Sequence, residues 1–439
     1  MIEKEDYEKS QEIIQQELLE LIEKHKSDPV ERWRKPMEHL YQYSCTSGYI
    51  QEDRLKLNII YPVFLQHNYG KVPFQVTINC SKPEIIAGVK TQSINYLNYQ
   101  GQCVICFENI GSQSRKGLRC FEFQCNGKQF FRQFPPYPYF QHHNIIIDRE
   151  HRPQLLARDT IKELLMISKS MPGYKVASNS DKEGTGVTNL SHRHYQSGDH
   201  QFSVYFSDVK KEWLCDNGIS VQWLHYPCCC LRIVGKDQSS VEEVVYRLFI
   251  TWKTGQFNNL INDLQTCSLI SCYDHITGDY EFLFFPRNAE QPRFLTRPLL
   301  QCIKKEFVGI FELCGFAILP VRLKVQLEQL SELLSNFHKN HITIDILQSN
   351  FQQYFNPPDD LVMFKEWIKK YYLVNYCNQY QKESTYNCNV MFDTKSILDL
   401  SVQQTFIDIL TDNSPISPSD SEGNLQNLIS QSNIPFKNV

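Results

Sequence analysis

The segment Ser191-His192-Arg193-His194-Tyr195-Gln196-Ser197-Gly198 places two histidines on either side of one residue, with a glutamine two positions after the second. In an extended strand, alternate side chains point to the same side, so His192, His194 and Gln196 are predicted to share one face. An imidazole can attack phosphorus, and a neighbouring amide can donate hydrogen bonds to phosphate oxygens. The segment therefore predicts a strand that carries a nucleophile for nucleotidyl transfer. The structural alternative is the polar face of a half-exposed strand.

Further strands are predicted on both sides of this segment. Phe74, Val76 and Ile78 alternate with polar residues, which is typical of a half-buried strand. Other segments with strand-like composition lie at 117–124, 129–134, 144–148, 174–178, 201–206, 267–273, 280–285 and 307–313.

Helices are predicted between the strands and at both ends of the chain. The segments are 2–26, one from Asp28-Pro29, one from Asp159-Thr160, one from Ser240 with a capping box to Glu243, Val321 to Lys339, and a short helix after the loop 413–423. Runs of strands with intervening helices favour an α+β fold over a doubly wound parallel sheet.

Composition excludes several classes of protein. The chain has 439 residues and a net charge of −4 with no basic block, so binding to a nucleic-acid backbone is not expected. Its longest apolar run, from Phe307 to Val321, is interrupted by Glu312 and Pro320 and is too short to span a bilayer. No signal-peptide core is present. The sixteen cysteines, Cys228-Cys229-Cys230 among them, are therefore expected to be mostly buried free thiols in a reducing cytoplasm.

Cys103-Val104-Ile105-Cys106 is a Cys-x2-Cys knuckle. Two thiolates at this spacing can occupy two corners of a tetrahedral zinc site. No second knuckle follows, so histidines would have to complete the site, and His151 and His192 are the best candidates. The alternative is a pair of buried thiols in a cysteine-rich chain.

A series of short motifs occurs in a fixed order along the chain. They are Phe74-Gln-Val-Thr-Ile-Asn-Cys-Ser-Lys-Pro-Glu84, Cys103-x-x-Cys106-Phe-Glu-Asn109, Tyr137-Pro-Tyr139 with His143, His151-Arg152-Pro153, Ser178-Asn179-Ser180-Asp181, Ser191-His192-x-His194-Tyr-Gln196-x-Gly198-x-His200, Arg287-Asn288, Ile303-Lys304-Lys305-Glu306 and Leu319-Pro320-x-Arg322-Leu323-Lys324. This order resembles the class II form of galactose-1-phosphate uridylyltransferase, a histidine-triad-like transferase family, from about Glu38 to the C-terminal helix. The resemblance implies an α+β fold with two histidine-triad-like halves, built on mainly antiparallel sheets flanked by helices.

The resemblance also implies four regions of the chain. They are an N-terminal helical region (1–69), a catalytic histidine-triad-like domain with the Cys-x2-Cys knuckle (70–235), a second histidine-triad-like domain (236–376) and a C-terminal extension (377–439). Members of this family are often homodimers, although no segment of the chain identifies an interface.

The family activity is transfer of UMP from UDP-glucose to galactose 1-phosphate in galactose metabolism. By this resemblance, His194 would form a uridylyl-histidine in a ping-pong cycle and Gln196 would hydrogen-bond the transferring phosphate. The resemblance further implies a structural zinc bound by Cys103, Cys106, His151 and His192. It implies substrate contacts from Asn179, Ser180, Thr188, Lys82, Arg287, Asn288 and His200.

Several positions depart from the family pattern. Val187 replaces the second of two adjacent glycines, Arg193 replaces the usual aspartate between the histidines, Ser197 replaces a glycine, and Phe294 to Cys302 contains no histidine. These changes leave the proposed nucleophile, His194, in place, but they do not identify the substrate that accepts the uridylyl group. Two alternatives therefore stand beside the transferase: a paralogue with another acceptor, such as a nucleotidyl phosphorylase or hydrolase, and a non-enzymatic zinc-stabilised nucleotide-binding protein.

Overall fold

The computed structural model describes residues 9–82, 84, 101–112, 115–289, 296–339, 357–383 and 393–437. Within these ranges the α-helices are α1 (Gln11–Lys24), α2 (Glu31–Thr46), α3 (Glu52–Leu55), α4 (Arg158–Ser170), α5 (Gln238–Thr254), α6 (Pro298–Gln301), α7 (Ile310–Leu313), α8 (Arg322–Lys339), α9 (Phe364–Trp367), α10 (Leu373–Glu383), α11 (Thr394–Asp412) and α12 (Asn424–Gln431). A π-helical segment (Ile368–Tyr372) joins α9 to α10.

The strands form two sheets. In chain order they are β1 (Ile59–Ile60), β2 (Gln75–Asn79), β3 (Phe121–Cys125), β4 (Lys128–Gln133), β5 (Asn144–Asp148), β6 (Lys175–Ser178), β7 (His194–Gly198), β8 (Val209–Leu214), β9 (Ser220–Leu224), β10 (Leu231–Gly235), β11 (Gln265–Tyr273), β12 (Tyr280–Asn288) and β13 (Phe316–Pro320). Strands β1, β2 and β13 form the small sheet, in which β13 runs parallel to β2. The other strands form a ten-stranded antiparallel sheet in the order β3-β4-β5-β7-β6-β11-β12-β10-β9-β8.

The large sheet consists of two halves with the same topology. From the outer edge of the sheet to its centre, strands β3 to β7 lie in the order 3-4-5-7-6 and strands β8 to β12 in the order 8-9-10-12-11. The two halves therefore have the same strand order, read from opposite edges. The single long helix of each half, α4 or α5, follows the third strand. The halves join where β6 pairs with β11, with Ala177 opposite Ile270. The expectation of an α+β fold with two mainly antiparallel halves is confirmed.

Both faces of the large sheet are buried. Leu269 and Ile270 are neighbours on β11 but belong to different hydrophobic cores, as expected for side chains that alternate across a strand. The core of Leu269 includes Leu164 of α4 and Leu248 of α5, so these helices cover one face. The core of Ile270 includes Ile318 of the small sheet. The small sheet and its neighbouring helices therefore cover the other face.

Most of the predicted elements are confirmed, with boundaries shifted by a few residues. The region 2–26 contains α1, whose Ile14, Leu18 and Ile22 are buried, although residues 2–8 lie outside the described part of the chain. Helix α5 begins earlier than predicted, because Asp237 rather than Ser240 caps it by accepting a hydrogen bond from the Ser240 N–H. No described helix has the length and hydropathy needed to cross a membrane.

Two predicted strands are wrong. Residues 203–206 form a 3-10 turn, and 310–313 form the short helix α7, which starts after Gly309 with Glu312 accepting from the Gly309 N–H. Short apolar runs do not distinguish a strand from a buried helical turn by periodicity. In the sheet topology, the second run of strands starts at β8 and includes β10, which ends at Gly235. The expected division of the chain into four regions, with a boundary at 235/236, stays a prediction.

The cysteines match the expectation of free thiols. Cys228, Cys229 and Cys230 are buried, and none of the cysteines in the described ranges forms a disulfide. Burial raises the pKa of the Cys228 thiol to about 12. These thiols are therefore core groups rather than reactive ones.

Candidate active site

Strand β7 places His194 and Gln196 on the sheet face that the small sheet covers. Gln196 pairs with Ala177 on β6, and Ala177 pairs with Ile270 in the core beneath the small sheet. His194 lies two residues before Gln196 and so faces the same side. The corresponding strand of the second half, β12, has the sequence YEFLFFPRN and contains no histidine. The pair of imidazole and amide therefore occurs in one half only of the described sheet.

Hydrogen bonds fix the tautomer of His194. Its Nδ1 lies 2.8 Å from the carbonyl oxygen of His192, which can only accept, so Nδ1 carries the proton. The backbone N–H of His194 donates to Oε1 of Gln154 at 2.9 Å. Nε2 has no hydrogen-bond partner among the described residues, and burial lowers the pKa of the ring. The structure therefore presents a neutral imidazole with a free Nε2 lone pair, which is the form required of a nucleophile.

The side chain of Gln196, on the same strand face as His194, is held through its oxygen. Oε1 of Gln196 lies 2.7 Å from Nε2 of His143, the residue just before β5. The amide NH₂ of Gln196 has no hydrogen-bond partner in the part of the chain that is described. Two donors are thus available on the same strand face as the His194 nucleophile.

The four residues expected at a metal site converge. Cys103, Cys106, His151 and His192 each offer a ligand atom, and these atoms lie within 4.8 Å of one another. Sγ of Cys103 is 3.6 Å from Sγ of Cys106 and 3.4 Å from Nδ1 of His192. In a tetrahedral site with Zn–S and Zn–N bonds of about 2.3 and 2.0 Å, donor atoms are about 3.3–3.8 Å apart. The separations between these ligand atoms fit a bound metal ion.

The hydrogen bonding of the two histidines also fits a metal site. Nε2 of His192 donates to the carbonyl oxygen of Asp148 at 2.8 Å, which leaves the Nδ1 lone pair facing the thiols. Nε2 of His151 is buried without a hydrogen-bond partner. Burial disfavours ionisation of Cys103, but its contacts with the His192 imidazole and the Asn189 amide outweigh burial and lower the pKa of this thiol to about 6. The cluster can hold a metal ion, and His192 already has the outer hydrogen bond typical of a metal ligand.

The metal cluster and the nucleophile share one residue. The side chain of His192 belongs to the cluster, and the backbone carbonyl oxygen of His192 accepts a hydrogen bond from Nδ1–H of His194. Anchoring His192 therefore fixes the ring orientation and tautomer of His194.

Asn179 and Gly186 belong to the loop between β6 and β7. Oδ1 of Asn179 accepts from the backbone N–H of Ile310 at 2.9 Å, which ties this loop to the start of α7. Gly186 has φ +82°, and a Cβ there would lie 2.5 Å from the Gly309 nitrogen. Of the two glycines in the family pattern, the retained one is therefore the one that the backbone requires here.

Arg287 is a buried cation on the same face. It is 2% exposed, and its Nη2 donates to the Val308 carbonyl at 3.2 Å. Its Nε has no partner, and burial lowers the pKa of the guanidinium to about 10. A buried guanidinium with an unused donor, beside the loop of Gly309, is suited to an anionic ligand.

Lys82 is already paired. Its Nζ lies 2.8 Å from Oε2 of Glu306, which also accepts from Lys304 at 3.2 Å. Lys304 is in turn 2.8 Å from Oε1 of Glu312. Two lysines thus face two glutamates, so a substrate phosphate at Lys82 would compete with Glu306 for the ammonium group.

The remaining expected substrate residues have the following surroundings in the structure, and their contact with substrate stays a prediction. Asn288 follows Arg287 on β12 and so points to the opposite face, where its Nδ2 donates to the Ile261 carbonyl. Ser180 hydrogen-bonds Lys182 and Thr185 within its own loop, and Thr188 is exposed. His200 stacks on Phe140, with ring centroids 4.9 Å apart, and bonds to Gln75.

The burial of His200 leads to a prediction about acid stability. Burial lowers the pKa of His200 to about 4, against about 6.5 in an unfolded chain. The unfolded state therefore binds a proton that the folded state does not, so this contribution is complete above pH 6.5 and is lost as the pH falls toward 4. His200→Phe keeps the aromatic packing without the titration. We expect the unfolding free energy of this variant, measured by urea titration, to fall less steeply between pH 6.5 and 4 than that of the wild type. The two slopes should differ by up to about 1.4 kcal/mol per pH unit. The same dependence of unfolding free energy on pH in the variant and the wild type would contradict the prediction.

Arg193 points away from the nucleophile. Its guanidinium donates to Tyr195 and Thr160 and lies 3.2 Å from Oε2 of Glu163, a fully buried residue of α4. Glu163 also accepts from Lys128 at 2.7 Å. The change from the family's aspartate to Arg193 therefore alters the helix-covered face and not the face of His194.

Removing Glu163 should destabilise the protein strongly. Glu163→Gln would leave Arg193 without its buried counter-charge, and breaking such a pair costs about 3–5 kcal/mol. The half-exposed Glu243, which pairs with Arg158 and Arg247, is the matched control, and Glu243→Gln should cost about 1 kcal/mol or less. Urea unfolding measures both, and equal losses would contradict the expected role of Glu163.

Three further residues, to which the sequence analysis assigned no role, support the site. Gln154 accepts from the His194 N–H and donates to Oγ of Ser178. Glu312 accepts from Gly309 at the start of α7. His143 contacts Gln196 across the β5–β7 pair. Gln154 and His143 act through contacts distant in sequence, which no local spacing encodes. Glu312 instead caps α7 over three residues, a spacing that a capping-box pattern could have identified.

Comparison with known proteins identifies relatives. A family model described as a domain of unknown function, DUF4922, matches residues 63–199, which contain the metal cluster and β7. A galactose-1-phosphate uridylyltransferase of Streptococcus pneumoniae (strain Hungary19A-6) is 31% identical over 326 residues, covering 68% of this chain. This chain spans only 64% of that relative's length. A protein of the same name from Fusobacterium nucleatum is 25% identical over 416 residues, covering 90% of this chain and 77% of that one.

Among solved structures, yeast Ap4A phosphorylase aligns with a TM-score of 0.41 and 12% identity over 71% of this chain and 92% of that one. By sequence, the chain is a homologue of the bacterial proteins named galactose-1-phosphate uridylyltransferase.

Proposed function

We propose that the protein transfers UMP from UDP-glucose to galactose 1-phosphate through a uridylyl group on His194. The observation that carries the proposal is the free Nε2 of a neutral His194, fixed by the His192 carbonyl beside the unpaired NH₂ of Gln196. The names of the homologues support the same activity.

In the first step, the Nε2 lone pair of His194 forms a bond to the α-phosphorus of UDP-glucose. The bond from this phosphorus to the bridging oxygen breaks, and glucose 1-phosphate leaves with the electron pair. The ring becomes positively charged, and the His192 carbonyl, which accepts a hydrogen bond from Nδ1–H, stabilises that charge. Donors on Gln196 stabilise the charge on the non-bridging phosphoryl oxygens.

In the second step, a phosphate oxygen of galactose 1-phosphate attacks the same phosphorus. The N–P bond breaks, its electrons return to Nε2, and UDP-galactose leaves a neutral His194. No proton has to be added to or removed from the ring in either step, which agrees with the fixed tautomer.

The metal in this proposal is zinc. Two thiols and two imidazoles at tetrahedral spacing are a typical structural zinc set. With all four positions taken by protein ligands, the ion would contribute structure by holding His192.

The substrate contacts are also proposals. Arg287, with its unused Nε donor, and Asn179, with its link to α7, are the candidates that lie on the nucleophile face. We propose that they contact the nucleotide. Lys82 would contact a phosphate only by sharing its charge with Glu306.

Intact mass spectrometry tests the proposal. Incubation with UDP-glucose alone should add one uridylyl group, which galactose 1-phosphate should discharge as UDP-galactose. Discharge by inorganic phosphate or water, but not by the sugar phosphate, would instead identify a phosphorylase or hydrolase. Absence of any adduct and of turnover would refute nucleotidyl transfer.

A further inference from the structure

The side chain of His143 has two fixed hydrogen bonds. The backbone N–H of Tyr139 donates to Nδ1 at 3.1 Å, so Nδ1 carries no proton. Nε2 must then carry it in the neutral ring and donate to Oε1 of Gln196 at 2.7 Å. Both ring nitrogens are thus assigned by their partners.

Packing holds the ring in place. His143 is 2% exposed. The Tyr139 ring stacks on it at 4.7 Å and 13°, and Phe311 of α7 meets it edge-on at 5.2 Å. Burial lowers the pKa of His143 to about 4. A second ring proton would also face the Tyr139 N–H, so the neutral form is favoured on geometric grounds as well.

This arrangement determines which way the Gln196 amide points. An amide has an acceptor on one side and donors on the other. If Gln196 were flipped, its NH₂ would face the N–H of His143, a contact between two donors. With Oε1 held by His143, the NH₂ must point away from it, toward open hydrogen-bonding positions on the strand face shared with His194.

We infer that His143 is a positioning residue that orients the amide of Gln196 so that its donors meet the transferring phosphoryl group. The inference rests on the proposed function and extends it to a residue that does not touch the substrate. A dipole oriented before reaction stabilises developing charge without a reorganisation cost. A freely rotating amide would lose part of that advantage.

The rate of uridylyl-enzyme formation measures the effect. His143→Leu removes the N–H donor and should lower this rate about tenfold or more while leaving the KM for UDP-glucose within about threefold. His143→Gln places an amide N–H near the position of Nε2 and should recover most of the rate. In a Gln196→Ala background, His143→Leu should cause little further loss, because no amide remains to be oriented. An equal loss with and without Gln196, or no recovery with glutamine, would overturn the inference.

A measurement without substrate separates this inference from the proposed function. In ¹⁵N-histidine-labelled wild-type protein, long-range ¹H–¹⁵N correlation should show His143, assigned by its absence in His143→Gln, as the Nε2–H tautomer down to about pH 5. An Nδ1–H tautomer or a charged ring at neutral pH would overturn the inference even if the enzyme is active. A correct tautomer without any uridylyl adduct would refute the transfer reaction and leave the orientation of Gln196 established.

Discussion

Replacing His194 with alanine is expected to abolish the uridylyl adduct and to lower turnover about 10⁴-fold or more. The residue supplies the only bond by which the proposed intermediate is held, and loss of a covalent nucleophile typically has an effect of this size. Among the described residues, the imidazole of His194 hydrogen-bonds only the His192 carbonyl, so the variant should remain folded. Intact mass after incubation with UDP-glucose and the rate of UDP-galactose formation measure the two effects.

A matched control is available in α2. His39 bonds Glu17 of α1 through its Nε2 at 2.8 Å and lies outside the proposed site. His39→Ala should therefore form the adduct at the wild-type rate. An adduct that persists in His194→Ala, or that maps to another residue, would contradict the assignment of the nucleophile.

Residues whose roles depend on local spacing could be predicted from the sequence. The alternation around His194 and Gln196 predicted a strand, and β7 starts at His194. The Cys-x2-Cys spacing predicted two ligands, and the two histidines proposed to join them do meet them in space. The strand and the pair of thiols rest on short-range geometry that a motif encodes directly, whereas the two histidines lie far from the thiols in sequence and were supported by the family resemblance.

Residues whose roles depend on which surface packs against them could not be predicted. Asn288 and Arg287 are adjacent in sequence, yet β12 directs them to opposite faces, so only Arg287 lies beneath the small sheet. The departure at Arg193 could not be interpreted until α4 supplied Glu163 as its partner. Within the run 307–313, residues 310–313 form a helical turn, in which Glu312 accepts from the Gly309 N–H and pairs with Lys304.

The other large effect concerns the metal cluster. Elemental analysis of the purified wild-type protein should find one zinc per chain, and Cys103→Ser should lose most of it, because a hydroxyl is a poor replacement for a thiolate ligand. The variant should also lose several kcal/mol of unfolding free energy, since the binding energy of a structural zinc contributes to folding. Cys45, a half-buried thiol outside the cluster, is the matched control, and Cys45→Ser should keep its zinc.

The same variant tests the physical link between the cluster and the nucleophile. The backbone carbonyl of His192 accepts a hydrogen bond from Nδ1–H of His194. Nε2 of the His192 ring is in turn held by the Asp148 carbonyl. Losing the metal should release the side chain of His192 and loosen the ring of His194, so adduct formation should slow in proportion to the zinc that is lost. Adding zinc back to chelator-treated wild-type protein should restore the rate of adduct formation, because both thiol ligands are intact in the wild type. If Cys103→Ser kept its full metal content, the ligand set would be wrong. If zinc were lost while the adduct formed at the normal rate, the protein fold alone would suffice to hold His194.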